Sequence, residues 1–408
     1  MKLGIIGAGI SGLSLGQLCR GSMDVELLES SSSYGGIAKI RTINETPYHL
    51  TGGHCFNSKN DKVLDFVFDE VLAKDQWNHV RRNADIFFKK KSIPYPIEFS
   101  IKEIHQFDAD LAFRIVRDFF SANRSKSSNL GEWFKSQFGE TLANEYFIPY
   151  NEKIWGMDPF SMSAQWVHDK LPVTDPKNFL EGLIADGEDT MPHRHFFYPK
   201  SGNMTTFHDA LAKNLKIRLN SPVGKIEKRG AMWVINEQLE YDHLVFTGSL
   251  KKLPSLLKDC SEEIVTAAKS LKVNPVSNAF WSTKGRETTW TYFPEEDSLF
   301  HRNIHIGNFI NPQTNHSISE VVGNVSPETL KEEGRKVPYL NEMLDHHYAE
   351  NAYVVFDEHY QSVVPKMKQY FEKNDLHLLG RFGEWEYYNM DVCIEKAFEL
   401  KDKILRVC

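Results

Sequence analysis

Residues 3–16, LGIIGAGISGLSLG, followed at residues 24–30 by DVELLES, decide the fold of this chain. Leu3 to Ile6 form a short apolar run suited to a buried parallel strand, and Gly7, Gly9 and Gly12 follow it at GxGxxG spacing. In such a unit Gly7 permits the tight turn from strand to helix, Gly9 lets backbone approach a pyrophosphate, and Gly12 lets the helix pack closely on the strand. Ile10 and Ser11 open the helix, whose free N–H groups face the anion. Glu29, with Ser30 beside it, ends the next strand, Val25 to Leu28, where a carboxylate can accept the ribose hydroxyls of an adenosine. Strand, glycines, helix, second strand and acid occur in order within 30 residues, which predicts a bound dinucleotide and a doubly wound α/β core.

Tyr34, Gly35 and Gly36 come directly after this unit. An acid followed by a glycine pair resembles the FAD-dependent oxidoreductase superfamily, and the resemblance implies FAD as the dinucleotide, with Gly36 against it.

Size and composition bound the rest. At 408 residues the chain exceeds one simple core and suits two or three domains. A hydrophobic fraction of 41% with 25% charged residues is that of an ordinary globular protein. The formal charge of −7, with no long basic stripe, argues against a nucleic-acid partner. No stretch approaches the roughly 20 apolar residues that span a bilayer, and the first strand lacks the flanks of a signal peptide, so a cytoplasmic protein is expected. Cys19, Cys55, Cys260, Cys393 and Cys408 contain no CxxC pair, so neither a disulfide framework nor a zinc site is expected.

Pattern changes divide the chain. The expected fold is α/β: a discontinuous Rossmann-like FAD-binding domain carrying a helical insertion and an antiparallel sheet. Its FAD-binding parts are expected at 1–85, 191–265 and 346–408, the mainly helical substrate part at 86–190, and the antiparallel substrate sheet at 266–345. Helical spacing runs through Ile101 to Phe120 and Leu130 to Ile154, whereas Val276 to Trp281, Thr289 to Phe293 and Phe300 to Ile306 read as strands. Tyr241 to Gly248 reads as a strand returning to the nucleotide-binding sheet, and a terminal helix begins near Asp391.

Three further stretches narrow the function: GGHCF at 52–56, YNEKIWG at 150–156 continuing through SAQW at 163–166, and GRFG at 380–383 continuing through YYNMD at 387–391. With the opening fingerprint, these resemble UDP-galactopyranose mutase and its flavoprotein relatives over nearly the whole chain. The resemblance implies that reduced FAD attacks the anomeric carbon of a nucleotide sugar and carries the sugar covalently on N5. The ring then recloses in a different size, with no net redox change. UDP-galactopyranose to UDP-galactofuranose, for cell-surface glycan biosynthesis, is the default reaction, with NAD(P)H as external reductant.

By the same resemblance His54 faces the flavin, Arg381 lies close to it, and Tyr388, Asn389, Met390 and Asp391 bring a helix N-terminus to its pyrimidine edge, where a dipole favours negative charge. Tyr150, Trp155, Tyr353 and Tyr387 line the nucleotide-sugar site, and Arg302 binds the diphosphate, for which a guanidinium fork is well suited. His54 and Arg302 are therefore the expected catalytic residues. Without the resemblance, Tyr150 and Trp155 at helical spacing read as core. One departure stands out. The family commonly places a second diphosphate arginine after the Leu171, Pro172, Val173 segment, where this chain has Thr174. Losing such a contact typically costs roughly 2 to 5 kcal/mol, and Lys177 and Arg194 are the nearby cations that could replace it.

Two other classes share the FAD domain: an oxidase or dehydrogenase of the amine-oxidase or protoporphyrinogen-oxidase type, and a non-catalytic nucleotide-sugar-binding flavoprotein. Self-association into a homo-oligomer is left open by the sequence, as are the sugar and the base.

Overall fold

A computed structural model describes residues 1–125, 127–164, 167, 175–184 and 194–407. At its centre five parallel strands lie in the order Leu376–Leu378, His243–Phe246, Lys2–Ile6, Asp24–Leu28, Lys216–Arg218. The first strand pairs on one side with Asp24–Leu28 and on the other with His243–Phe246, so the stretch ending at Gly248 does return to the nucleotide-binding sheet. Parallel strands are covered on both faces, which is why Leu3, Ile5, Leu27, Leu244 and Val245 are fully buried. The charged Glu26 is tolerated in this sheet because Arg218 Nε (2.6 Å), Tyr241 Oη (2.7 Å) and Lys216 Nζ (2.9 Å) converge on its carboxylate. One face is covered by the helix Ile10–Cys19 and the terminal helix Met390–Val407, which lie against each other.

The second layer is a seven-stranded sheet in the order Leu340–Val354, Val273–Thr283, His316–Val322, Arg302–Ile304, Trp290–Tyr292, Ala84–Phe88, Lys91–Pro94. Most neighbours are antiparallel, as the alternating aromatic and β-branched pattern predicts, but Trp290–Tyr292 pairs in parallel with Ala84–Phe88. The strand Ala84–Phe88 thus crosses the expected boundary at residue 85, and Leu340–Val354 crosses the one at 345. Ala84–Phe88 forms a hairpin with Lys91–Pro94 but joins this sheet through Trp290–Tyr292, and Leu340–Val354 joins through Val273–Thr283; these distant pairings leave no record in the local pattern.

Between these strands the chain is helical. Asp108 caps Ala109–Ser121 by accepting from the Leu111 N–H (2.8 Å), and Asn129 caps Leu130–Phe138 through the Glu132 N–H (2.8 Å). The first of these helices buries Leu111, Ala112, Ile115 and Phe119, one stripe at helical spacing. The helix Ile148–Trp155 carries Tyr150 and Trp155 toward the seven-stranded sheet, and Gly156 ends it with a left-handed cap.

Candidate active site

Between the two sheets lies a cavity of about 1230 Å³. That exceeds the roughly 300–1,000 Å³ usual for one small-molecule pocket, and leaves room for a dinucleotide with a second ligand. Its floor is the glycine loop. Gly7 adopts φ +103°, and a Cβ there would meet Thr247 Oγ1 at 2.2 Å; at Gly12 a Cβ would lie 2.1 Å from the Gly7 carbonyl oxygen. Gly9 and Gly36 face each other so closely that a Cβ on Gly36 would stand 3.1 Å from the Gly9 Cα. Gly9 supplies no side-chain cap to the helix Ile10–Cys19, whose first turn holds no acid, so its N–H dipoles are left to an anionic ligand. Glu29 accepts from the Ala8 N–H (3.0 Å), the Ser31 N–H (3.0 Å) and Ser31 Oγ (2.5 Å). Burial opposes its ionisation, yet these bonds and Lys39 outweigh it and hold the carboxyl below its ordinary range. A bare cradle for a pyrophosphate beside an ionised acceptor fits a flavin dinucleotide.

The loop of Gly52, Gly53 and His54 forms the roof. A Cβ on Gly53 would clash with Ile304 Cγ2 at 2.6 Å, so the loop is pressed onto the seven-stranded sheet. The His54 N–H donates to His49 Nδ1 (3.2 Å), which leaves His49 Nε2–H to meet Tyr198 Oη (2.8 Å). His54 Nε2 faces the Ile37 carbonyl at 3.1 Å. Burial first, and the Arg381 charge second, push the His54 pKa down to about 4, so its imidazole is neutral at physiological pH.

Five other histidines, His49, His208, His301, His305 and His316, are 5% exposed or less, and burial lowers the pKa of each. In the unfolded chain each would titrate near 6.5, so the unfolded state binds more protons as pH falls below that value. Folding stability should therefore be full above about pH 6.5 and fall through the acid range, each histidine contributing up to about 1.4 kcal/mol per pH unit. Chemical denaturation midpoints that stay flat between pH 7 and 5 would contradict the buried neutral assignment.

The far wall carries the cations. Arg381 lies beside the stacked rings of Tyr353 and Tyr387, 5.0 Å and 4.3 Å from their centroids. Its Nε and Nη2 are buried with no acceptor among the described residues. The turn that carries it is pinned to the glycine loop, since a Cβ at Gly380 would meet Ser11 Oγ at 2.2 Å. Arg302 and Glu320 are direct cross-strand partners, and the guanidinium Nε bonds the buried carboxylate while Nη2 donates to Tyr353 Oη (2.6 Å). Burial would raise the Glu320 pKa, but Arg302 and His301 prevail and hold it at about 2. Tyr292, next to Arg302 in sheet register, accepts from Arg82 Nη2 (2.5 Å).

Of the residues expected from sequence, the cavity wall gathers Gly7, Gly9, Ile10, Ser11, Glu29, Ser30, Gly36, His54, Arg302, Tyr353, Arg381, Tyr387, Tyr388, Asn389, Met390 and Asp391. Three stand behind it. Gly12 serves helix packing. Tyr150 meets Tyr292 edge-on at 5.9 Å, and Trp155 bonds Asn151 Oδ1 (3.2 Å) and braces Tyr353 and Tyr387 from the side. The terminal helix starts at Met390, one residue before Asp391. Thr174 and the SAQW residues 165–166 lie outside the described residues. Lys177 pairs with Glu181, and neither it nor Arg194 reaches the wall. Sequence reading missed Arg82, Trp290, Tyr292 and Glu320 as site residues. Glu320 lies in a strand, His316–Val322, that already carries His316, Ser317 and Ser319, so the sequence offered no clear signal for it.

These features define a flavin-dependent enzyme fold, and the chain belongs to the flavin-containing amine oxidoreductase family, whose sequence model matches residues 10–305. It is 22% identical to the UDP-galactopyranose mutase of Mycoplasma genitalium, over 98% of this chain and 94% of that protein. It is equally 22% identical to the dTDP-fucopyranose mutase of Escherichia coli, over 98% and 97%. In fold it is similar to the crystal structure of a reduced UDP-galactopyranose mutase, with a TM-score of 0.87, 23% identity and coverage of 100% and 94% of the two chains. A putative protoporphyrinogen oxidase from Exiguobacterium sp. 255-15 shares the fold with a TM-score of 0.76 at 14% identity, over 99% and 98%.

Proposed function

We propose that this protein is an FAD-dependent mutase that interconverts the pyranose and furanose forms of a nucleotide sugar, active with reduced flavin. The observation that carries this reading is one cavity joining a dinucleotide cradle to a wall of arginines and tyrosines. Similarity along almost the full chain to mutases named for UDP- and dTDP-linked sugars supports it. The default reaction is UDP-galactopyranose to UDP-galactofuranose in the cytoplasm, for cell-surface glycan synthesis, with NAD(P)H as the source of electrons.

A bound, reduced flavin would supply the nucleophile for the anomeric carbon. The chain's own residues bind and orient. Gly9, Gly36 and the N-terminus of Ile10–Cys19 would hold the cofactor pyrophosphate, and Glu29, with Ser30 beside it, would accept from the ribose. The N-terminus of Met390–Val407, with Asn389, Asp391 and Tyr388, would direct N–H dipoles to the flavin pyrimidine, and Arg381 would add positive charge nearby. His54, kept neutral, bonds at the flavin edge without adding a cation. Arg302 holds the diphosphate through departure and return, while Tyr353 and Tyr387 line the sugar side, braced by Trp155 and Tyr150.

The test uses dithionite-reduced holoenzyme with UDP- and dTDP-linked galactose and fucose, resolving pyranose from furanose products. Ring-size interconversion without stoichiometric NAD(P)H consumption is expected. Steady oxidation of an amine or porphyrinogen instead would assign the protein to the oxidases. Binding of nucleotide sugars with no turnover and no borohydride-trappable adduct would leave a binding protein only.

A further inference from the structure

Arg82 lines the same cavity as Arg302 and has no place in the functions assigned above. Its Nη2 donates to Tyr292 Oη, and its guanidinium stands 5.0 Å from the Trp290 ring centroid and 5.3 Å from that of Tyr95. Among the described residues its buried Nε has no acceptor and no carboxylate forms an ion pair with it. The contrast with its neighbours matters. Arg302 spends its charge on Glu320, Lys39 lies beside Glu29, and Lys252 reaches Glu350 at 3.6 Å. Arg381 is also uncompensated, but its turn is packed on Ser11 of the glycine loop, at the cofactor end.

Arg82 is half-buried, with its Nε out of water and its side chain on the cavity wall, and a cation partly withdrawn from water without a counterion is best stabilised when a ligand supplies the negative charge. The aromatic contacts hold the fork in place in advance, so less side-chain freedom is lost when an anion arrives. Its position identifies the anion. Arg82 lies two residues before Ala84, the parallel partner of Trp290, and Tyr292 is the register partner of Arg302. Ile86 is the residue opposite Tyr292, so the Arg82 and Arg302 backbones are two strands apart and four residues out of row, roughly 16 Å in all. The long side chains close much of that gap, because the Arg82 guanidinium reaches the Tyr292 hydroxyl and both arginines line the cavity, where they can approach one diphosphate from two sides.

We infer that Arg82 is the second diphosphate-binding cation of this site, in place of the arginine that the chain lacks at Thr174. The inference rests on the nucleotide-sugar reading. With Arg302 neutralised by Glu320, Arg82 supplies the net positive charge that retains the leaving nucleoside diphosphate. Tyr292, bonded to one arginine and adjacent to the other, keeps the two forks in register.

Calorimetric titration of flavin-loaded Arg82→Gln and Arg82→Lys with UDP and dTDP, with uridine as the uncharged control, tests this. Arg82→Gln should weaken UDP binding roughly 10- to 100-fold, the range for a lost charge-assisted bond, with uridine affinity and the flavin spectrum unchanged. Arg82→Lys should recover part of the loss. Unchanged UDP affinity in Arg82→Gln overturns the inference, and a shifted flavin reduction potential beside it would show that the guanidinium faces the cofactor. Equal losses for UDP and uridine also overturn it, marking a structural role. Wild-type holoenzyme that binds neither UDP nor dTDP overturns the nucleotide-sugar reading, and this inference with it.

Discussion

Alanine at Arg302 is expected to abolish measurable UDP binding and to lower folding stability by about 3–5 kcal/mol, while flavin remains bound. The two losses have separate origins. Binding fails because the guanidinium that faces the cavity is gone. Stability falls because Glu320, with 0% of its surface exposed and held ionised by Arg302, is left as a buried charge without a counterion. Adding Glu320→Gln should therefore restore most of the stability of Arg302→Ala, since a neutral amide costs less to bury than an unpaired carboxylate, but should not restore UDP affinity. Denaturant unfolding and calorimetry on the two variants separate these effects. Retention of wild-type UDP affinity in Arg302→Ala would remove the diphosphate from this wall altogether.

Substitution of Gly12 by alanine is expected to yield protein without flavin, or insoluble protein. The new methyl would lie 2.1 Å from the Gly7 carbonyl oxygen and 3.3 Å from Ile5 Cγ2, and both belong to the central strand and its turn, which cannot give way. The helix Ile10–Cys19 would have to lift from the sheet, taking with it the N–H groups that receive the pyrophosphate. Overpacking of this kind costs about 1–3 kcal/mol when neighbours can adjust, and here the obstacle is backbone. Gly21→Ala is the control, because nothing lies within 4 Å of a Cβ at that position, and it should change stability by no more than about 0.5 kcal/mol. Gly12→Ala that purifies with a full complement of flavin and an unchanged melting temperature would refute the packing role of this glycine.

The cofactor half was the most legible because its determinants are local. Gly7, Gly9, Gly12 and Glu29 lie within one βαβ unit, where turn geometry and helix packing dictate residue type at fixed spacing. In the structure Gly7 and Gly12 leave no room for a Cβ, Gly9 stands against Gly36, and Glu29 accepts from the Ala8 N–H of the same turn. Legibility declined with distance along the chain. The alternating strands after Lys272 were readable, but their parallel junction with Ala84–Phe88 was not, since a strand's own alternation records which face is buried and not which partner it meets. Tyr150 and Trp155 show the same limit. Helical periodicity alone read them as core, the motif resemblance read them as ligand contacts, and the structure sets both one layer behind the wall.

By itself, then, the sequence determined the class of chemistry: a dinucleotide bound on a glycine turn, and a set of arginines, tyrosines and one histidine to act beside it. Only the tertiary structure decided how their charges combine. Arg302 and Glu320 are 18 residues apart in sequence and become cross-strand partners, whereas Arg82, about 200 residues from Tyr292 and Trp290, is set against their rings with no carboxylate within reach among the described residues. Whether a guanidinium in a cavity is spent on a neighbour or left for a ligand depends on which groups the fold brings within a few ångströms of it, because ion pairing and desolvation are short-range.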